Sequence, residues 1–410
     1  MGVPGPVGKA GLDDIDPAGK RVLLRVDFNV PLNGDGTVRD DSRLVATLPT
    51  IRDLQARGAA VIVATHLGRP NGKPDPALST RPLAADLEHL LGSPVAWVDD
   101  CVGEVVEREA RALQRGQVLL LENLRFHPGE EANDPAFARQ LAGLGDLYVD
   151  DAFAAAHRAH ASIEGVAHLL PAVAGRLMAR EIAALNSVLE NPRRPLMAIM
   201  GGSKLSTKLG LVKSLLERVE TLCLGGAMAA TFLKAADREV GSSLVEDDFL
   251  EDASAIVRQA ADRHVDLQLP IDAVVAPSPA AKQDAVRICS VEEIPPAEMI
   301  LDVGPETVKR WGELVRSAGT IVWNGPLGLY EKPLFAGGTR QVAAAIAASS
   351  AVSVTGGGDL QAALKGAGLE HGFTHVSTGG GATLTFLEGQ ELPGISVLLD
   401  SAQATRPALR

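Results

Sequence analysis

Cysteine is scarce in this sequence, and no hydrophobic run is long enough to cross a membrane. Cys101, Cys223 and Cys289 are the three cysteines among 410 residues, an odd number without paired spacing. This excludes a disulfide framework and is typical of reduced thiols in a cytosolic protein. No apolar stretch reaches the ~18 residues of a spanning helix, and the amino-terminal "MGVPGPVGKAGLDD" lacks the apolar segment of a secretory signal. We therefore expect a cytoplasmic protein without a membrane partner.

An excess of positive charge and two common nucleotide-binding fingerprints are also missing. With 39 lysines and arginines against 51 aspartates and glutamates, the formal net charge is -12. That charge excludes a general nucleic-acid-binding protein, although not a local basic pocket. Neither Gly-Lys-Ser nor Gly-Lys-Thr occurs, so the P-loop class is excluded. The stretch "VDFNVPL" after the first apolar run offers no G-x-G-x-x-G, which argues against a nicotinamide-dependent oxidoreductase.

Short apolar runs that alternate with helical patterns make up most of the chain. The length suits about two or three domains, and 46% hydrophobic residues can fill a large core. Strands that alternate with helices imply parallel sheets covered on both faces, an α/β fold. The runs that predict strands are Arg21–Val26, Ala59–Thr65, Val118–Asn123, Asp146–Asp151, Leu196–Met200, Thr221–Gly226, Ile271–Ala276, Thr320–Gly325, Ala351–Gly358 and His375–Gly381.

The residues that follow these runs differ between the two halves of the chain. Charged and imidazole side chains follow the runs of the first half, and glycines follow those of the second. Since ligands of open α/β sheets bind outside the carboxyl ends of the strands, we expect two domains with two ligands. Arginine and histidine would hold a small anion, and bare backbone would approach a nucleotide phosphate. Between the halves, "AGRLMAREIAALNSVLENPRRP" (Ala174–Pro195) predicts a long helix, which we interpret as a hinge.

The stretch "AIMGGSKLSTKLGLVKSLL" (Ala198–Leu216) carries two lysines near the predicted start of a helix. Its pattern predicts a helix from Lys204 to about Val219, with Ser203 as the N-cap. Lysines are mildly unfavourable at the positive end of a helix dipole. A bound polyphosphate would make Lys204 and Lys208 favourable there. The alternative is that both are ordinary surface lysines.

Three strand exits in the first half carry basic side chains. "HLGRP" supplies His66 and Arg69, "LENLRFH" supplies Arg125, and "DDAFAAAHRAHAS" supplies Arg158 with two histidines. Guanidinium groups bind phosphate and carboxylate through paired hydrogen bonds, so three such exits predict one basic pocket. A zinc site at His157 and His160 is the rival interpretation, and no cysteine or third histidine has a fitting spacing.

Two further exits have both a chemical and a purely structural interpretation. In "RVDFNVP", Asp27 and Asn29 face one side if the chain is extended, or they stabilise a turn before Pro31. In "TGGGD", the glycines would admit a phosphate to a helix amino end, and Asp359 would bind magnesium. The structural alternative is that Asp359 is a plain N-cap. "TGGGA" (Thr378–Ala382) repeats the pattern without a carboxylate.

Taken in order, these stretches resemble the phosphoglycerate kinase family over essentially the whole chain. The matching blocks are "RVDFNVP", "THLGRP", "LENLRFHPGEE", "GGSK…K", "LGGAMA", "DVGPET", "WNGPLGLYE", "GGGD" and "STGGGA". The resemblance implies a monomer of two Rossmann-like domains with parallel sheets, joined by a hinge helix. It implies reversible phosphoryl transfer between ATP and the carboxylate of 3-phosphoglycerate with Mg2+, a reaction of glycolysis and gluconeogenesis that yields ADP and 1,3-bisphosphoglycerate. The expected boundaries are 1–173 for the phosphoglycerate domain, 174–192 for the hinge, 193–397 for the nucleotide domain, and 398–410 for a tail that packs back on the first domain.

The resemblance also assigns roles to residues that match the family motifs. Arg43, Lys204 and Lys208 would be catalytic, and Asp359 would be the magnesium ligand. The phosphoglycerate site would comprise Asp27, Asn29, Arg43, His66, Arg69, Arg125 and Arg158. The nucleotide site would comprise Gly202, Lys204, Lys208, Gly225, Gly226, Asn324, Pro326, Glu331, Gly356, Gly357, Gly358, Asp359 and Leu360.

Of the positions that depart from the family pattern, two adjoin predicted site residues, Lys208 and Asp359. Thr207 stands where an aspartate is usual, and Leu360 stands where threonine or serine is usual. They motivate an alternative function, a weakly active paralogue with a ligand-binding or regulatory role. The basic and acidic site residues are retained, which favours an active kinase with both substrates and no nucleic-acid partner.

Overall fold

The computed structural model describes residues 8–400, and these divide into two compact units. Unit 1 comprises the chain up to Ala183 together with the segment from Glu391, and unit 2 comprises Ala184–Gln390. The amino-terminal seven residues and the part of the predicted tail beyond Asp400 lie outside the described residues. Within residues 8–400, no helix is long and apolar enough to cross a membrane.

Unit 1 is built on one parallel sheet of six strands. The sheet order is β3-β4-β2-β1-β5-β6, so the chain leaves β1 toward one edge and later returns to its other side. The strands are β1 (Arg21–Arg25), β2 (Ala60–Ala64), β3 (Val95–Trp97), β4 (Val118–Leu120), β5 (Leu147–Asp150) and β6 (Ala172–Ala174). The α-helices are α1 (Ser42–Ala56), α2 (Arg81–Leu91), α3 (Glu104–Ala112), α4 (Pro128–Glu131), α5 (Pro135–Ala142) and α6 (Arg176–Leu189). Leucines of α1 and α2 pack with β1 and β2 in one core cluster.

Unit 2 contains a second parallel sheet of six strands and a smaller sheet of three. The large sheet has the order β15-β14-β13-β7-β8-β9, and the small one has the order β11-β10-β12. The strands are β7 (Leu196–Met200), β8 (Thr221–Leu224), β9 (Asp266–Gln268), β10 (Asp272–Ala276), β11 (Arg287–Ser290), β12 (Met299–Val303), β13 (Thr320–Asn324), β14 (Val352–Gly356) and β15 (His375–Val376). The α-helices are α7 (Leu209–Leu216), α8 (Met228–Ala235), α9 (Leu250–Asp262), α10 (Pro305–Ser317), α11 (Gly337–Ala347), α12 (Gly358–Ala367) and α13 (Gly381–Leu387). The predicted α/β class with parallel sheets is confirmed.

The run Ile271–Ala276 forms a strand, but the prediction that it joins a parallel sheet is wrong. As β10 it pairs antiparallel with β11 and β12. Both of its neighbours in the sheet are close in sequence, Arg287–Ser290 and Met299–Val303, and neither of these segments was predicted as a strand.

The helix predicted to begin at Lys204 begins five residues later. Helix α7 starts at Leu209, and Lys208 is its N-cap residue. Before it, the backbone N–H of Ser206 donates to Glu246 at 3.0 Å, and the Ser206 hydroxyl donates to the same carboxylate. A side chain that offers the backbone such bonds competes with helical hydrogen bonding. Ser203 is therefore not an N-cap, and Lys204 lies outside the helix.

Helix α6 lies within the segment predicted as a hinge, and the boundary between the two units falls inside it. Asp151 Oδ1 accepts hydrogen bonds from the N–H groups of Leu177 and Met178, at 2.8 and 3.1 Å. Arg176 forms ion pairs with Asp13 and Asp53. These bonds fix the amino end of α6 to unit 1. The hinge function stays a prediction.

The carboxyl-terminal segment packs on unit 1, and its short helix α14 spans Pro393–Ser396. The N–H of Gly394 donates to the carbonyl oxygen of Ala156 at 2.9 Å. The N–H of Leu399 donates to the carbonyl oxygen of Ala172 at 3.0 Å. The segment therefore contacts both the edge strand β6 and the loop after β5.

Candidate active site

Asp27 and Asn29 lie in the loop after β1, at the carboxyl edge of the unit 1 sheet. Asp27 is buried and forms an ion pair with Arg43 of α1. Its Oδ1 accepts a hydrogen bond from the N–H of Asn29 at 3.1 Å, so the turn-stabilising interpretation of this pair also holds. The Asn29 Oδ1 accepts from the N–H of Gly68 at 2.8 Å, which ties this loop to the loop after β2.

His66 lies at the end of β2 against an arginine that the sequence analysis did not select. His66 is 5% exposed and Arg25 is 1% exposed. A guanidinium nitrogen of Arg25 lies 3.2 Å from His66 Nδ1, and Arg25 Nε donates to the hydroxyl of Ser162 at 2.7 Å. That hydroxyl donates to buried Glu130 at 2.6 Å. The sequence did offer a signal for Arg25, because it is an arginine inside the apolar run "RVLLRV". A guanidinium buried in such a strand needs polar partners nearby.

The predicted arginines of the other exits lie near the same histidine. Arg125 is 4% exposed, donates to the carbonyl oxygen of Gly68 at 2.7 Å and pairs with Glu131 at 3.0 Å. Arg158 donates from Nε to His157 Nε2 at 3.2 Å. Arg69 is exposed on the loop after β2. Unit 1 therefore brings the buried and half-buried basic residues together and leaves Arg69 at the surface.

Positive charge at this edge of the sheet comes from arginine and not from histidine. Burial, and then the charges of Arg25, Arg125, Arg158 and Arg43, hold the pKa of His66 well below its usual value. The same causes, burial first, lower the pKa of His160 to about 4, and the pKa of His157 is lowered by burial and by Arg158. Three neutral imidazoles among fixed guanidinium groups form a site for an anion.

The rival zinc interpretation of His157 and His160 gains no support. Among residues 8–400, the group of three potential metal ligands that lie close together is Asp100, Cys101 and His127. It includes neither of those histidines. In this group His127 Nε2 is already within 2.7 Å of Asp100 Oδ1, which satisfies both groups by a hydrogen bond.

Lys208 lies where three neighbouring strands of the unit 2 sheet end. Its Nζ donates to the carbonyl oxygen of Gly201 after β7 and to Oδ1 of Asn324, each at 2.6 Å. Asn324, 2% exposed at the end of β13, donates from Nδ2 to the carbonyl oxygen of Gly356 in β14 at 2.8 Å. Burial lowers the pKa of Lys208 to about 8, and the charge of Asp359 partly opposes that shift. The prediction that Lys208 is an ordinary surface lysine is wrong.

Glycines let the loops at this edge pack against one another. Gly226 has φ +68°, and a Cβ there would lie 2.5 Å from the backbone nitrogen of Gly202. The N–H of Gly202 donates to the carbonyl oxygen of buried Pro326 at 2.8 Å. A Cβ on Gly225 would lie 2.8 Å from a Leu327 methyl carbon. Gly202, Gly226 and Pro326 thus form a backbone-lined floor beside Lys208.

The amino end of α12 presents a carboxylate beside this floor. Gly356 closes β14, Gly357 precedes the helix with φ +102°, and Gly358 and Asp359 are exposed in its first turn. Burial raises the pKa of Tyr330, and the charges of Asp359 and Glu331 raise it further. Glu331 is also exposed, so two exposed carboxylates lie near one tyrosine.

The remaining predicted nucleotide residues and the two departures have clear local roles. Leu360 is fully buried in the core cluster that contains Trp311 and Trp323, so its position serves packing. Lys204 is exposed, and the hydroxyl of Thr207 donates to its carbonyl oxygen at 3.1 Å. Thr207 therefore stabilises the turn that carries the lysine.

Parallel α/β units, with an arginine-rich cluster in one and a half-buried lysine on a glycine floor in the other, are typical of an α/β phosphotransferase. The family model for phosphoglycerate kinase matches residues 12–390. The chain belongs to the phosphoglycerate kinase family, and it is a kinase.

Individual relatives and solved structures agree with this assignment. Phosphoglycerate kinase from Rubrobacter xylanophilus is 53% identical over 390 residues, which cover 95% of this chain and 98% of that one. The enzyme from Chlorobium phaeovibrioides is 51% identical over 396 residues, with 96% and 100% covered. The structure of phosphoglycerate kinase from Coxiella burnetii superposes with a TM-score of 0.88 at 41% identity, with 97% and 100% covered.

Proposed function

We propose that the protein transfers a phosphoryl group reversibly between ATP and the carboxylate of 3-phosphoglycerate, giving ADP and 1,3-bisphosphoglycerate. The observation that carries the proposal is half-buried Lys208, which is bonded at the carboxyl ends of β7 and β13 beside the glycine floor. A lysine of this kind compensates phosphate charge where water is scarce. The arginine-rich site of unit 1 supplies the complementary place for an anionic acceptor.

The chemistry needs positive charge and alignment, and it needs no general base. A carboxylate with a pKa of about 3.5–4 is already ionised at neutral pH. Its oxygen attacks the terminal phosphorus of ATP, the bond to the bridging oxygen breaks, and ADP leaves with the electron pair. Arg43 and Lys208 would compensate the charge on the transferred group, with Lys204 on the nucleotide phosphates. Asp27, Asn29, His66, Arg69, Arg125 and Arg158 would hold phosphoglycerate.

The unit 2 residues fit a nucleotide with its magnesium ion. Asp359 is an exposed carboxylate in the first turn of α12, and Mg2+ prefers one or two carboxylates together with waters and phosphate oxygens. When bound, the ion would neutralise charge between the phosphates. The glycines at 202, 225, 226 and 356–358, with Pro326, would admit the phosphates and base, Glu331 would bind the ribose, and the Leu360 N–H would face a phosphate.

Asn324 fits this scheme as a residue that orients Lys208. Both ends of its amide are already bonded, one to Lys208 and the other to the carbonyl oxygen of Gly356. We further propose that the enzyme is a cytoplasmic monomer and that bending in the hinge segment accompanies transfer, since exclusion of water prevents wasteful hydrolysis. No observation favours the alternative of a weakly active paralogue, because Leu360 and Thr207 serve local structure.

A coupled assay with ATP, Mg2+ and 3-phosphoglycerate tests the proposal. We expect turnover that requires all three, and an Asp359→Asn variant that needs far more Mg2+ for half-maximal rate. Asp262→Asn is the matched control, since Asp262 is an exposed aspartate at the end of α9. Turnover at background with intact ATP binding would contradict the proposed reaction, and an unchanged Mg2+ requirement in Asp359→Asn would contradict the metal assignment.

A further inference from the structure

The ring nitrogens of His66 have unequal surroundings. A guanidinium nitrogen of Arg25 lies 3.2 Å from Nδ1. Guanidinium carries five N–H donors and no acceptor. A hydrogen bond between the two groups therefore requires a bare Nδ1 that accepts, with the ring proton on Nε2.

The other charged groups around His66 do not offer Nδ1 an acceptor at bonding distance. The Oδ1 of Asp27 is 3.9 Å away, which is too long for a hydrogen bond. Arg43, Arg125 and Arg158 add positive charge from α1 and from the loops after β4 and β5. In the neutral ring, a proton on Nδ1 would point at the Arg25 N–H, and a ring protonated on both nitrogens would in addition place a cation among cations.

Arg25 cannot turn away from His66, because its other nitrogens are held. Its Nε donates to Ser162 at 2.7 Å, and a further nitrogen donates to the carbonyl oxygen of Val26. Ser162 is in turn fixed by Glu130, which accepts from its hydroxyl at 2.6 Å and from its N–H at 2.9 Å. With Arg25 1% exposed and Glu130 fully buried, water does not compete for these groups.

We propose that Arg25 is a positioning residue that holds His66 as a neutral ring with its proton on Nε2. His66 then gives the anionic substrate a hydrogen bond from Nε2 and no charge, and the arginines alone supply the charge. Arg25 acts through His66 and need not touch the ligand. This inference rests on the proposed phosphoglycerate site in unit 1.

The first test reads the tautomer directly in the unaltered enzyme. The protein is labelled with 15N in histidine, and two-bond 1H–15N correlations are recorded from about pH 5.5 to about pH 8. The His66 signals are identified by their loss in His66→Gln, with exposed His371 as a reference. We expect a protonated Nε2 and a bare Nδ1 throughout. A protonated Nδ1, or a ring that becomes cationic in this range, would overturn the proposal.

The second test removes the donor and reads the KM. In Arg25→Met, Nδ1 loses its partner, so His66 can change tautomer or gain a proton. We expect the KM for 3-phosphoglycerate to rise about ten- to hundredfold relative to the unaltered enzyme. The ratio of the variant's KM to that of the unaltered enzyme should change with pH, and the KM for ATP should stay unchanged. Arg25→Lys, which keeps a donor without an acceptor, should restore most of the affinity. Arg21→Met at the other end of β1 is the control.

Each outcome of this second test is decisive. A pH-independent ratio, or an equal rise in both KM values, would mark Arg25 as merely structural and overturn the proposal. If Arg25→Met does not fold, Ser162→Ala serves instead, because it removes the hydrogen bond that holds Arg25 Nε. It should raise the KM for 3-phosphoglycerate in the same pH-dependent way, but by a smaller factor. Because the tautomer is measured without substrate, the proposed reaction can fail in the coupled assay while the His66 result stands.

Discussion

At the scale of single residues, Lys208 carries a cost in the folded protein. Its pKa is lowered to about 8 because burial disfavours the charged form. At neutral pH the side chain is still protonated, and carbonyl oxygens satisfy it in place of water. The charged side chain is therefore less stable in the folded protein than it would be in water.

We expect Lys208→Met to lose activity and to gain stability. Turnover should fall at least about a hundredfold, because the charge beside the phosphate is lost. The free energy of unfolding at neutral pH should rise, by at most about 3 kcal/mol, since the variant no longer buries a cation. Urea unfolding and the coupled assay measure the two effects. Lys213→Met, at an exposed lysine on the same helix, should change neither, and near-normal turnover in Lys208→Met would contradict the role of Lys208.

Asp150 allows a pH prediction, because burial raises its pKa to about 7. Below that pH the folded protein holds the proton more tightly than the unfolded chain does, so this group's contribution to stability falls as pH rises from about 4 to about 7. Asp150→Asn mimics the protonated side chain. We expect it to raise the free energy of unfolding by about 1–3 kcal/mol at about pH 8, and by less at about pH 5.

Asp146 provides the control of opposite sign. Its hydrogen bond from Arg21 holds its pKa below the usual value, so it contributes stability at neutral pH that is lost in acid. Asp146→Asn should destabilise at neutral pH and have less effect as the pH falls toward and below about 4. If both variants responded to pH in the same direction, the burial argument for Asp150 would fail.

At the scale of elements, the turns after β7 and β8 depend on glycine. The loop backbones at Gly202 and Gly226 pass so close that a Cβ on Gly226 would lie within 2.6 Å of two Gly202 backbone atoms. Backbone atoms cannot yield as a flexible side chain can, so the floor beside Lys208 depends on that close approach.

We expect Gly226→Ala to weaken both the fold and the nucleotide site. The positive φ and the clash should lower the free energy of unfolding by about 1–3 kcal/mol, and calorimetric ATP affinity should fall because the floor shifts. Gly366→Ala in α12 is the control, since a Cβ there meets nothing within 4 Å and alanine favours a helix. Unchanged ATP affinity in Gly226→Ala would show that the floor does not hold nucleotide.

The sequence predicted those elements whose signal is local. The continuous apolar runs "AAVIVAT" and "LMAIM" predict strands that are buried on both faces. Every residue of the resulting β2 and β7 is indeed buried. The strands β3, β6 and β9 have three residues each and were not predicted. The equally short β4 was predicted because it lies in the longer run Val118–Asn123. The antiparallel pairing of β10 depends on neighbours with weak patterns, and the late start of α7 depends on Glu246, forty residues away.

The residues of the candidate site likewise divide into those that the sequence predicted and those that it did not. Lys208 was selected as a lysine near the predicted start of a helix, and Asn324 was selected from the resemblance to the family. Both lie at the carboxyl ends of parallel strands, which meet at one edge of the sheet. Glu130 and Ser162 are ordinary in their own segments, and Arg25 stands out there only as an arginine inside an apolar run. None of the three was selected, because their bonds link positions up to 137 residues apart. Asp150 and Asp151 likewise acquire unusual pKa values only through burial in the folded unit.

At the scale of the whole molecule, the two units differ in how the chain builds them. Unit 2 is one continuous segment, whereas unit 1 needs the segment that starts at Glu391. That segment buries Leu392, Ile395 and Leu398. It also donates a hydrogen bond from Gly394 to Ala156, two residues before Arg158.

We expect a chain that ends at Gln390 to lose phosphoglycerate binding selectively. The truncation removes three buried side chains, whose burial contributes about 1.5–3 kcal/mol each, and the hydrogen bond to Ala156. Their loss should destabilise unit 1 and free the loop that carries Arg158. Denaturant unfolding should show an earlier unit 1 transition, and calorimetry should show at least about a tenfold weaker affinity for 3-phosphoglycerate. ATP affinity of unit 2 is the internal control, and an equal loss of both affinities would contradict the assignment.

This last segment also sets an order of events on the ribosome. At ~5–20 residues per second, translation of the roughly 200 residues of unit 2 takes roughly 10–40 s. Throughout that time the strands of unit 1 exist without the piece that supports the Arg158 loop. The unit encoded first is therefore the one completed last, so all of unit 2 has been synthesised before unit 1 can be completed.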